Sequence, residues 1–152
     1  MITMIKKAVQ VISTTVVMGS IATLSSIFLI SQHANAAELT VKVSDIGDEK
    51  GHLMVALYSG EESFTKGKSG WSSKVKVTQS EEAITFSDLP DGDYAIKMFH
   101  DENDNQKLDF NMLGIPKESY GFSNNVGRFG QPKYKEAKFN VKENTTIDIN
   151  LF

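Results

Sequence analysis

The chain has 152 residues, 40% of them hydrophobic, a formal net charge of −3 and no cysteine. Without cysteines there are no disulfides, no thiolate chemistry and no lipid-modified N-terminal cysteine, so the fold rests on its core. The mild acidity argues against nucleic acid or an anionic membrane surface as the main partner.

Residues 1–36 read as an export signal. Lys6 and Lys7 form a positive start, an apolar run is strongest over residues 21–30, and Ala34-Asn35-Ala36 supplies the small-x-small cleavage pattern. The rival reading is a retained anchor. Residues 8–30 are long enough to cross a bilayer, but Gln10, Ser13, Thr14, Thr15 and further hydroxyls dilute them. Cutting after Ala36 leaves 116 residues, one domain's worth, with no membrane span. Losing two lysines and no acids takes the net charge from −3 to −5. The expected destination is the periplasm or the medium.

In the remainder, Leu39, Val41 and Val43 alternate with polar residues and predict a half-buried strand. After the polar turn 45–51, HLMVALY (52–58) is apolar on both faces and predicts a central strand. Residues 59–70 read as a glycine-containing loop anchored by Phe64 and ended by Trp71. Residues 74–78 alternate valines with lysines, an exposed strand whose lysines guard an edge. A short strand over 83–86 leads to the turn Leu89-Pro90-Asp91-Gly92-Asp93. In the next strand, 94–100, Tyr94, Ile96, Met98 and His100 share one face, and Ala95, Lys97 and Phe99 share the other. A long loop, 101–135, precedes two more alternating strands at 137–141 and 147–151. About seven short strands without a helix predict an all-β fold, a single antiparallel β-sandwich occupying residues 37–152. A membrane barrel is rejected, because the strands are too short and too few and lysines interrupt the would-be lipid faces.

Leu89-Pro90-x-Gly92-x-Tyr94 followed by an alternating strand resembles the transthyretin-like and carboxypeptidase-regulatory-like sandwiches, in which that tyrosine packs inward. Read on through LPDGDYAIKMFHDENDNQKLD, LGIP, YGFSNN and FGQPKYKEAKF, the chain resembles a bacterial family of small exported proteins catalogued as a domain of unknown function. The resemblance covers roughly residues 39–151. It implies a β-sandwich outside the cytoplasm, transthyretin-like or immunoglobulin-like, and implies no activity.

Residues 100–125 hold the candidate chemistry. Asp101, Asn103, Asn105 and Asp109 stand at relative positions 1, 3, 5 and 9, a spacing that aims alternate oxygens at one centre, as calcium requires. Gln106 stands where helical calcium loops need glycine, and Met112 where they need a bidentate glutamate. Any Ca²⁺ site is therefore expected to be weak. The competing reading is a loop of Asn and Asp residues that bond their own backbone.

His100 beside Asp101 could serve as a general base, but no nucleophile is evident; Ser123 lies in Gly-Phe-Ser-Asn-Asn, not in a nucleophile elbow. A histidine tying the loop to the sheet is the simpler reading. With only His52 and His100 left after cleavage, a multi-histidine zinc site cannot be built. Residues 113–116 predict a turn that packs back on the sheet. Tyr120, Phe122, Asn124 and Asn125 combine flat apolar faces with amides and could bind a carbohydrate or peptide; equally, they could pin the loop.

The expected function is a non-catalytic binding or structural module. The alternatives are a hydrolase or isomerase using His100 and Asp101, and an accessory subunit binding an envelope protein through residues 113–125.

Overall fold

The computed structural model describes residues 36–152. The export signal expected over residues 1–36 lies outside them, apart from Ala36. Among the described residues no helix is long and apolar enough to cross a membrane.

Among the described residues, eight strands form two sheets. In the first, β1 (Ala37–Ser44) lies between β4 (Glu82–Leu89) and β8 (Thr145–Asn150). In the second the order is β3 (Trp71–Lys76), β2 (His52–Ser59), β5 (Gly92–Asp101), β6 (Tyr120–Phe122), and β7 (Phe139–Val141) also pairs β5. All seven runs expected from alternation become strands. The eighth is β6, three residues of the aromatic–glycine cluster. HLMVALY is central as expected, between β3 and β5.

Two expectations need correction. The fold is not wholly antiparallel, because β1 and β8 run parallel, Leu39 opposite Thr145 through Ser44 opposite Asn150. The chain leaves β7 in the second sheet and enters the first at its far edge, so β8 arrives in the direction of β1. Side-chain alternation is the same in either direction and cannot signal this. Nor is the domain free of helix: α1 (Glu61–Lys66) and α2 (Tyr134–Ala137) are short helices. Gly67 closes α1 in the left-handed conformation, its N–H bonding back into the last turn.

Both sheets turn apolar side chains into one core. Leu39, Val41 and Val43 of β1 meet Leu53, Val55 and Leu57 of β2 and Tyr94, Ile96 and Met98 of β5. At the turn between the sheets Tyr94 is buried, with its hydroxyl donating to the Pro90 carbonyl at 2.6 Å.

The second sheet is mostly apolar on its other face too, which accounts for the two-sided hydrophobicity of β2. At one end α1 and α2 cover that face. Phe64 and Tyr134 pack there over Tyr58, Ala56 and Ala95. The rest of the face is left to two loops.

Candidate ligand-binding groove

Strand register sets the floor of the uncovered part. Lys74, Met54, Phe99 and Tyr120 stand side by side across β3, β2, β5 and β6, all pointing away from the core. The next row is Ser72, Ala56, Lys97 and Phe122. These rows floor an apolar groove of about 800 Å³, within the range of sites for one small molecule.

Residues 108–116 form one wall. Phe110 and Pro116 make an isolated antiparallel bridge, and the Asn111 side-chain oxygen accepts the N–H groups of Leu113 and Ile115. The chain turns here, with Gly114 N–H bonded to the Asn111 carbonyl at 3.0 Å, but Leu113 and Ile115 stay exposed and do not pack back on the sheet as expected. Gly114, Ile115 and Pro116 line the groove, while Leu113 is 83% exposed at the tip. Residues 128–131 form the other wall, fastened by the Tyr120 hydroxyl donating to the Arg128 carbonyl at 2.8 Å. Gly127, at φ 82°, permits the approach, since a Cβ there would stand 2.7 Å from both Phe122 and Pro132.

The charged side chains lining the groove are Lys74, Lys97 and Arg128, with no carboxylate among the described residues there. Lys74 is paired with Asp104 at 3.1 Å, which lowers the Asp104 pKa. Lys97 Nζ donates to the Phe64 carbonyl at 2.7 Å and sits 4.2 Å from the Phe64 ring centroid and 5.0 Å from that of Tyr58. Its burial lowers the ammonium's pKa below the ordinary lysine value.

Of the four residues expected to bind a carbohydrate or peptide, Tyr120 and Phe122 line the groove. Asn124 and Asn125 act as pins. Asn124 donates to the Glu136 and Lys138 carbonyls, while Asn125 donates to the Asp148 carbonyl and accepts the Asn150 N–H. Both take positive φ, 61° and 53°, which asparagine tolerates.

The loop that follows β5 is tied by its own carboxylates. Asp101 is fully buried, and its two oxygens accept the N–H groups of Asn105 and Gln106 at 3.0 and 2.8 Å. Glu118, not singled out from the sequence, accepts Glu102 N–H with one oxygen and Asp109 N–H with the other, closing the loop. The Asn103 and Asn105 oxygens accept backbone N–H groups, and their amide nitrogens donate to Asp109 at 2.7 and 3.0 Å. Gln106 adopts φ 62°, the turn that glycine makes in helical calcium loops. The backbone thus bends as a calcium loop does. In this arrangement the Asn103 and Asn105 amide nitrogens face Asp109, while their oxygens hold backbone N–H groups of the loop.

His100 is fully buried on the core face of β5, with Nε2 2.7 Å from the Lys50 carbonyl, and lines no part of the groove. Ser123 is equally buried. The groove residues that the sequence did not single out are Met54, Lys97, Phe99, Phe110 and Phe129. The available signal was that β2 is apolar on both faces and that β5 carries Ala95 and Phe99 beside Lys97 on its outer face, so the face turned from the core needed a second cover.

No curated protein and no solved structure matches the chain. One family profile does, over residues 41–148. The chain therefore belongs to the family described as uncharacterized protein conserved in bacteria (DUF2141).

Proposed function

We propose that this protein is a non-catalytic binding module, a sandwich of the transthyretin-like or immunoglobulin-like kind that works in the periplasm or the medium. The groove on the outer face of the second sheet receives one apolar small molecule. The observation that carries this reading is a mostly apolar floor built on strands and left open between two walls, with room for a single ligand. The signal-like residues 1–36 support the compartment. The hydrolase or isomerase alternative lacks comparable support, because His100 and Asp101 are both fully buried and bonded to backbone groups.

Titration with Nile red, a neutral dye, tests the groove. Saturable one-to-one binding that disappears in Met54→Lys, with the fold intact by circular dichroism, supports the reading. Wild-type protein without saturable binding overturns it.

A second reading is an accessory role toward an envelope protein through residues 113–125. It draws on Leu113, 83% exposed, beside Met112, which has no cover at all. Cross-linking in envelope extract compares wild type with Met112→Ser/Leu113→Ser. Equal recovery of the same partners by both forms ends that idea.

A further inference from the structure

The groove is positive inside an acidic protein. Its charged lining is three cations, whereas the whole chain carries −3. Lys74 is already neutralised by Asp104. Lys97 and Arg128 have no carboxylate within 4.0 Å among the described residues.

Lys97 is the more telling of the two. Register places it on the floor between Ala56 and Phe122, not on the rim. An ammonium has three N–H donors; among the described residues Lys97 gives one to the Phe64 carbonyl and otherwise meets only the Phe64 and Tyr58 rings. A half-buried cation with spare donors and no counter-ion, set in an otherwise apolar trough, is complementary to an amphiphile with an anionic head.

We propose that the ligand of this groove is a long-chain carboxylate bound as a single molecule, its head group on Lys97 and its chain over Met54 and Phe99 toward Phe110 and Ile115. This rests on the groove reading above and adds the ligand class to it. Arg128, with its guanidinium 5.9 Å from the Phe152 ring centroid, adds positive field at the β6 edge. The volume suits one chain. The position of Lys97 favours a free molecule over a bilayer surface, whose head groups would meet the rim before the floor.

Calorimetric titration of the full protein with decanoate, decanol and decylammonium tests this, with each probe below its micellar range. Decanoate should bind about tenfold more tightly than decanol, the value of a hydrogen bond to a charged partner. Lys97→Met should erase that preference and leave decanol binding within about twofold. Raised salt should weaken decanoate and spare decanol, which tests the charge in wild-type protein should the variant fail to fold. Equal binding of decanoate and decanol, or a preference for decylammonium, overturns the carboxylate assignment and leaves an apolar groove standing. Failure of all three probes overturns both. Binding only to anionic vesicles, and not to free decanoate, also overturns the proposal in favour of a membrane-surface contact.

Discussion

The Ser123 hydroxyl lies 2.9 Å from the Ile96 backbone nitrogen and accepts its hydrogen bond, while donating to the Ala137 carbonyl at 2.6 Å. The free edge of β5 is paired by β7 as far as Tyr94 and by β6 from Lys97 onward. Ile96 falls in the gap between them, and the side chain of a fully buried serine fills it. Ser123 therefore takes the place of a missing ladder bond and joins β5 to α2. Ser123→Ala leaves a buried N–H and a buried carbonyl without partners and should cost about 1–3 kcal/mol in urea denaturation. A loss below about 0.5 kcal/mol, the range of neutral surface changes, would contradict this role.

The Asp101 carboxylate should matter for stability rather than for metal. Asp101→Ala is expected to cost about 2–3 kcal/mol, because two N–H groups lose a charged acceptor in a buried site. Millimolar Ca²⁺ should leave the wild-type Tm unchanged, as read by differential scanning fluorimetry with and without chelator. A rise of several degrees that Asp109→Ala abolishes would mean that the Asn103 and Asn105 amides turn over to present oxygens.

Lys97 makes stability depend on alkaline pH. Burial lowers its pKa in the folded state, so the unfolded chain holds the proton more tightly. Where the unfolded state binds more protons, stability rises with pH. The rise should span the window between the lowered pKa and the ordinary lysine value of about 10.4. Tyr58 packs against Lys97, and its phenol is raised by burial, so it acts in the opposite sense at the upper end of that range. Chemical denaturation of wild type and Lys97→Met across this window separates the two. The variant should lose the rise, and identical slopes would show that Lys97 is not its source.

The groove rim should be dispensable for folding and needed for binding. Phe129 is almost wholly exposed on the 128–131 wall. Phe129→Ser is expected to change stability by no more than about 0.5 kcal/mol. Its Nile red affinity should fall severalfold. Weakened folding together with unchanged dye binding would place Phe129 in packing rather than in the site.

Local sequence determined the strands and the faces of this protein. Every alternating run became a strand, because period-two patterning records which side chains point together. The inward face of His100 and the two-sided character of β2 were legible for the same reason. The spacing of Asp101, Asn103, Asn105 and Asp109 was equally plain. Where their oxygens point was decided by the loop's positive-φ turns at Asp104 and Gln106 and by Glu118 closing it from a distance in the chain. The parallel course of β8 could not be read, since alternation carries no direction. The groove belongs wholly to tertiary structure. Apolar residues on the outer face of β2 and β5 called for a cover, and only the folded chain shows that α1 and α2 cover one end while residues 108–116 and 128–131 stand apart at the other. Side-chain periodicity records the direction in which a residue faces. What meets it there depends on segments distant in sequence, and in this protein those segments leave Met54 and Phe99 between two walls, with Lys97 tied to Phe64 at the covered end.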